Sequence, residues 1–108
     1  MRKTEKHNQI LDDIQKKFKE GEKRYGKFAP KTDTRNFGKE CYNEGLDMAN
    51  YLGMWGLQLN SQYPDVWVDP ELSDWWYKIY GQVFNLLCEI LEFEQKVENL
   101  KIQKGGVK

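Results

Sequence analysis

A long heptad pattern in the C-terminal third of the chain constrains the fold more than any other feature of the sequence. Apolar residues recur there at alternating steps of four and three positions: Leu72, Trp76, Ile79, Val83, Leu86, Ile90, Phe93, Val97 and Leu100. This spacing is typical of an α-helix that buries a stripe against neighbouring helices. Four further apolar residues widen the middle of the stripe: Tyr80, Phe84, Leu87 and Leu91. We therefore predict a helix over about residues 70–103, in the core of a helical bundle.

Two shorter amphipathic segments precede this helix. The first predicts a helix over about residues 4–25, and its narrow apolar seam consists of His7, Leu11, Ile14, Phe18, Gly21 and Tyr25. The second predicts a helix over about residues 35–59, capped by Asp33 or Thr34. Its apolar stripe is made by Cys41, Met48, Leu52, Trp55 and Leu59.

Together these segments predict an all-α fold, namely a three-helix antiparallel bundle with a long C-terminal helix. Breaker residues indicate loops over about residues 26–34 and 60–68. A chain of 108 residues is expected to form a single domain, which we place at residues 1–104, followed by a disordered tail at residues 105–108. So short a chain has little left to cover the apolar stripe beyond Phe93. We therefore predict that formation of a homodimer or a higher oligomer completes the bundle.

The charge is zero in total but uneven along the chain. Seventeen basic residues balance seventeen acidic ones, which disfavours nucleic acid as a partner. The sequence contains no apolar run of about 20 residues and no apolar signal core, so we predict a cytoplasmic protein without a membrane partner. Residues 1–40 carry a net charge of +5, whereas residues 41–100 carry −8. Either the two regions pair with each other, within a chain or across a dimer, or the acidic side chains gather around a cation.

Most familiar catalytic motifs are missing from the sequence. There is no glycine-rich phosphate loop and no Ser-His-Asp set. Cys41 and Cys88 have no metal-ligand spacing and are expected to be reduced thiols. His7, the single histidine, lies on the apolar seam of the first helix and is interpreted as a packing residue.

One acidic cluster on the second predicted helix stands out. At 100° per residue, Glu40, Glu44 and Asp47 fall on one strip that borders the apolar stripe. Two interpretations account for the cluster. Lysine and arginine side chains of the basic first helix pair with it, or the carboxylates converge on Mg²⁺, which prefers oxygen ligands.

The segment around this cluster resembles a known family. Residues 44–52, Glu-Gly-Leu-Asp-Met-Ala-Asn-Tyr-Leu, look like the Glu-x-x-Asp helix of the MazG-like, all-α nucleoside triphosphate pyrophosphohydrolases. The longer stretch over residues 23–52, with Lys-Arg-Tyr-Gly at its start, also resembles small phage and prophage proteins. The resemblance covers residues 20–55.

The resemblance implies that helix carboxylates hold Mg²⁺, which binds the phosphates of a nucleotide while water attacks the α–β linkage. Glu44 and Asp47 match the second half of the family's metal motif. The first half, Glu-Glu-x-x-Glu on the preceding helix, is absent, and only Glu22 borders the seam there. The predicted metal ligands are therefore Glu44, Asp47, Glu40 and Glu22. The alternative function is that of a non-catalytic, phage-type helical interaction or oligomerisation protein.

Aromatic residues cluster around the second loop and the start of the third helix: Trp67, Trp75, Trp76 and Tyr77. Trp76 belongs to the apolar stripe, whereas Trp75 and Tyr77 flank it. More aromatic residues than one face requires indicate a core, a subunit interface or a surface that stacks on a nucleotide base.

Overall fold

A computed structural model of the chain describes residues 2–105 and is built from four α-helices. Helix α1 spans Lys3–Tyr25, α2 spans Phe37–Gln62, α3 spans Pro64–Trp67 and α4 spans Pro70–Gly105. Within residues 2–105 there is no β-strand, which confirms the all-α prediction. The prediction of three helices was too simple, because the short α3 lies in the predicted second loop. Of the predicted tail, Gly105 is the last residue of α4, and residues 106–108 lie outside the described part of the chain.

The chain divides into two compact units, one up to Arg35 and one from Asn36 onward. The first unit contains α1, and none of the residues of this helix is buried. The second unit contains α2, α3 and α4. Whether the chain acts as the single domain predicted over residues 1–104 stays a prediction. Along residues 2–105, no helix is both long enough and apolar enough to cross a lipid bilayer.

Helix α1 is held at both ends by local interactions. At its start, the Glu5 carboxylate accepts hydrogen bonds from the backbone N–H of Arg2, at 3.4 Å, and from Arg2 Nε, at 3.0 Å. At its end, the N–H of Gly26 donates to the carbonyl oxygen of Glu22 at 2.8 Å. Gly26 has a φ of 83°, a left-handed value that glycine adopts without a steric penalty.

Helix α2 begins two residues later than predicted, and an ion pair explains the difference. The carboxylate of Asp33 is occupied by Arg35, whose Nε donates at 3.0 Å and whose Nη2 donates at 2.6 Å. Asn36 therefore caps the helix in place of Asp33 or Thr34, because its side-chain oxygen accepts from the backbone N–H of Lys39 at 3.0 Å.

Helices α2 and α4 pack antiparallel, and glycine residues on the contact face of α2 allow the two helices to lie close together. A Cβ atom added at Gly38 would lie 3.3 Å from Glu94, one at Gly45 would lie 2.5 Å from Leu87, and one at Gly56 would lie 3.1 Å from Trp76. Each step forward along α2 is matched by an equal step back along α4. A side chain at these positions would hold the helices apart.

The core of the second unit lies along this contact. Its buried residues are Leu52, Val83 and Leu87, and Tyr42, Ala49 and Trp76 pack against them. The indole N–H of Trp76 donates to the carbonyl oxygen of Leu52 at 3.1 Å. The predicted apolar stripe of α2 was therefore only partly right. Leu52 is buried, but Met48 and Trp55 are more than half exposed, because the line of glycines faces α4 in their place.

Candidate functional site

Helix α4 uses only part of its apolar face within the second unit. The side turned toward α2 contains the buried Val83 and Leu87. Beside it runs a row of apolar residues spaced seven apart, all of them exposed: Leu72, Ile79, Leu86, Phe93 and Leu100. The exposed fraction reaches 53% at Leu86 and 71% at Phe93. The predicted heptad stripe is therefore present in α4, and the second unit covers only one of its two edges.

Helix α2 carries a matching exposed row. Cys41, Met48 and Trp55 are also spaced seven apart and exposed. On a helical wheel this row lies to one side of the glycine line, as the row on α4 lies to one side of Leu87. Because the helices are antiparallel and right-handed, both rows open on the same face of the pair. We call this surface the α2–α4 trough, and its lining residues are Cys41, Met48, Trp55, Leu72, Ile79, Leu86 and Phe93.

The two rims of the trough differ in charge. On the outer side of the α2 row lie Glu40, Glu44 and Asp47, with no basic residue of α2 among them. On the outer side of the α4 row, acidic and basic residues alternate: Glu71, Lys78, Glu89 and Lys96. The trough thus has one strongly acidic rim and one rim of balanced charge.

Two of the predicted metal ligands share a groove on the acidic rim. Glu44 and Asp47 border an open groove of about 390 Å³ together with Met48, Tyr51 and Trp55. Over residues 36–105, neither carboxylate has an ion pair or a side-chain hydrogen bond. The arrangement therefore offers two adjacent oxygen donors beside two aromatic rings.

The other two predicted ligands are placed differently. Glu40 lies in the first turn of α2, on the same strip, but does not line the groove of Glu44 and Asp47. Glu22 lies on α1, in the other unit. Among residues 2–105, no three His, Cys, Asp or Glu side chains come together as a group that could hold a metal ion.

The aromatic cluster divides into a packed part and an exposed part. Trp76 lies at its centre, edge-to-face with Trp67 at 5.4 Å and with Tyr77 at 5.1 Å, and stacked on Tyr80 at 5.3 Å between ring centroids. These contacts hold α3 against α4 and assign Trp67 and Trp76 to the packing of the second unit. Trp75 is 58% exposed and stands beside the trough row of α4.

Glu94 is a half-buried residue on the α2–α4 contact, and no polar side chain of the described residues is fully buried. Its Oε1 is enclosed without a hydrogen-bond partner and lies against Gly38, at the start of α2. At 100° per residue Glu94 falls on the apolar face of α4, so its side chain points toward α2. Enclosing an unpaired carboxyl oxygen costs free energy, whereas the indole N–H of Trp76, at the other end of the contact, has a hydrogen-bond partner.

Sequence reasoning identified the acidic strip and the apolar stripes but missed the trough. The signal was present, because Cys41, Met48 and Trp55 share the period of Leu72, Ile79 and Leu86. Glycine contributes nothing to a hydrophobic pattern, however, so the pattern does not show that the glycines of α2 face α4. It assigns the neighbouring row, Cys41, Met48 and Trp55, to the core.

Comparison with protein families, curated proteins and solved structures finds no significant match to this chain. The similarity of residues 44–52 to the MazG-like enzymes therefore remains a prediction from those residues alone.

Proposed function

We propose that the chain is a helical interaction protein that works as a self-associated assembly. The observation that carries the proposal is the exposed heptad row of α4. Soluble monomers rarely leave a contiguous apolar surface of more than a few hundred Å² uncovered. Here the row crosses about four heptads of one helix and is doubled by Cys41, Met48 and Trp55 on the neighbouring helix.

The small core supports the same proposal. Leu52, Val83 and Leu87 are the buried apolar residues of the described chain. A core of this size contributes little toward the conformational entropy lost on ordering a 36-residue helix. Association would bury the second edge of α4 and so add the hydrophobic free energy that the single chain lacks.

Size-exclusion chromatography with light scattering tests this proposal. We expect a mass that is a multiple of 12.9 kDa at micromolar concentration. Leu86→Glu, in the trough, should shift the mass toward that of one chain. Leu57→Glu is the matched control, since Leu57 is 72% exposed on the opposite side of α2 and should keep the assembly. A wild-type protein that runs as a single chain at every concentration would refute the proposal.

A second candidate function is Mg²⁺-dependent binding and hydrolysis of a nucleoside triphosphate. The groove that joins Glu44 and Asp47 to Tyr51 and Trp55 favours it. Mg²⁺ is commonly held by one or two carboxylates together with substrate phosphates and water, so two adjacent donors fit the ion only when a nucleotide completes its ligands. When bound, the ion would neutralise phosphate charge and polarise the linkage to be cleaved.

In this candidate function the side chains have separate tasks. Glu44 and Asp47 would hold the ion, and Glu40, one turn before Glu44 on the same strip, would be a further oxygen donor. Tyr51 and Trp55 would position the nucleotide by stacking on its base.

Calorimetry separates this candidate from the first. Heat should appear when a nucleoside triphosphate is titrated in the presence of Mg²⁺, and Glu44→Gln or Asp47→Asn should abolish it. Glu92→Gln, on the far side of α4, is the control and should bind as wild type does. An absence of heat in the wild-type protein, with each of the common nucleotides, would refute the candidate.

A further inference from the structure

The chain contains a helix that matches the α2–α4 trough. None of the residues of helix α1 is buried, and this helix presents a seam of exposed apolar side chains: Leu11, Ile14, Phe18 and Tyr25. Within this seam His7, Ile14 and Gly21 are spaced seven apart, as are Cys41, Met48 and Trp55 in the trough. Two apolar rows of equal period pack side by side as helices do in a bundle.

The lengths of the two elements also agree. Helix α1 has 23 residues, which at 1.5 Å per residue give about 34 Å. The trough runs from Leu72 to Phe93 on α4, which corresponds to about 32 Å. One copy of α1 therefore fills the trough from end to end.

The charges of α1 match the two unequal rims. On the Ile10 side of its seam, α1 carries an excess of basic residues, because Lys3, Lys6, Lys17 and Arg24 outnumber the acidic Asp13 and Glu20. On the other side, Glu5 and Asp12 lie in the first half of the helix and Lys19, Glu22 and Lys23 lie in the second half, so the charge of this flank is mixed. The basic flank suits the acidic rim of α2, and the mixed flank suits the balanced rim of α4.

The match of charges between the flanks of α1 and the rims of the trough also determines the direction in which α1 runs along the trough. Since α-helices are right-handed, the Ile10 side of α1 faces α2 only when α1 runs antiparallel to α2. Gly21 then lies at the Cys41 end of the trough, and His7 lies at the Trp55 end.

We propose that α1 of one copy docks in the α2–α4 trough of a second copy, antiparallel to α2, and that the exchange is reciprocal. The inference rests on the proposed self-association and names the surfaces that carry it. A reciprocal contact closes as a two-fold dimer and leaves no free trough. A dimer in which the two troughs pack directly against each other is less favourable, because two copies of the acidic rim would then repel each other in one interface.

Disulfide trapping tests both the occupant and the direction. In a Cys88→Ser background, Cys41 is the only native thiol, and it lies exposed in the trough. Gly21→Cys adds a thiol to the seam of α1 at a position with open space around it. Under mild oxidation we expect a product of twice the chain mass, with a linked peptide pair that joins Cys41 to the new cysteine.

Two matched variants control the trapping. Gln9→Cys, on the side of α1 opposite the seam, and His7→Cys, at the far end of the seam, should give at least tenfold less of the linked pair. A His7 link in place of the Gly21 link would overturn the proposed direction. An intrachain link between Cys41 and the thiol of Gly21→Cys would show that the chain's own α1 fills the trough and would overturn the proposal.

Charge reversal gives an independent readout that needs no cysteine. Lys17→Glu with Arg24→Glu reverses the basic flank, and Lys19→Glu with Lys23→Glu makes the same charge change on the mixed flank. We expect the first pair to raise the dissociation constant of the dimer about tenfold and the second about twofold, since rim charges act in proportion to the charge they face. Equal effects would overturn the proposal.

These outcomes also separate the inference from the proposed function. A protein that remains an oligomer but gives neither the linked pair nor the unequal charge effects associates through another surface, which overturns this inference alone. A protein that is a single chain throughout overturns both.

Discussion

Leu86 and Leu87 are adjacent residues of the same type on the same helix, yet they belong to two different regions of the molecule. Leu87 is 8% exposed and packs against Gly45 of α2, whereas Leu86 is 53% exposed in the trough. A helical step of 100° separates a side chain that has a partner within the second unit from one that does not. The comparison shows that α4 is built for two neighbours, of which the second unit supplies one.

Leu87→Ala should have the largest effect of the changes that test this difference. Removing a buried leucine costs the lost transfer free energy and leaves a cavity, so we expect the free energy of unfolding to fall by about 3 kcal/mol. Urea denaturation followed by far-ultraviolet circular dichroism measures the change, at one fixed protein concentration. A loss below about 1 kcal/mol, the range expected for an exposed leucine, would mean that Leu87 is not a core residue.

Leu86→Ala should act on assembly and not on the fold of the second unit. The side chain is 53% exposed and has no partner in the second unit to lose, but in the assembly it would lie at the centre of the contact. We expect the dissociation constant to rise about tenfold, which corresponds to about 1.4 kcal/mol. Sedimentation velocity over a concentration series measures it. If the fold loses as much stability from Leu86→Ala as from Leu87→Ala, the distinction between the two faces is wrong.

The difference between Leu86 and Leu87 also shows which features of the fold could be predicted from the sequence. Helix α4 was predicted within about two residues of its observed end, because Leu72 to Leu100 keep one period throughout. Which edge of that stripe is covered could not be predicted, since periodicity describes one helix and burial depends on its neighbours. The α2 contact was missed for the same reason, as glycines carry no hydrophobic signal until a second helix approaches them.

The candidate site shows a similar division. The placement of Glu44 and Asp47 on one strip followed directly from their spacing of three. Their occupancy of a common groove with Tyr51 and Trp55 also depends on the exposed position of those rings, which was not predicted because Trp55 had been assigned to the core. The late start of α2 depended on Arg35 binding Asp33, a side-chain contact that cap preferences do not anticipate.

Two glycines of α2, one beside α4 and one in open space, are expected to change the free energy of unfolding in opposite directions when each is replaced by alanine. Gly53 has open space where a Cβ would lie, so Gly53→Ala should raise the free energy of unfolding by about 0.5–1 kcal/mol through helix propensity. Gly45→Ala gains the same propensity but drives a methyl group into Leu87, so we expect a net loss of about 1–2 kcal/mol. Thermal or urea unfolding of both variants measures the contrast, and two changes of the same sign would show that α2 does not approach α4 through its glycines.

The smallest effect is expected in the loop before α2, where one carboxylate has a partner close by in sequence. The guanidinium of Arg35 and its backbone N–H, which donate to the Asp33 carboxylate, lower the pKa of Asp33 from 3.8 to about 2. Because the folded pKa lies below the ordinary value, the contact favours the folded loop above about pH 3.8 and is lost as the pH falls toward 2.

A titration of the Asp33 side-chain carbonyl resonance by nuclear magnetic resonance measures the midpoint. Arg35→Gln should return it toward 3.8, while Lys31→Gln, a charge removal in the same loop, should leave it near 2. If the two variants shift the midpoint equally, general loop charge and not the Arg35 contact holds the carboxylate, and the later start of α2 needs another cause.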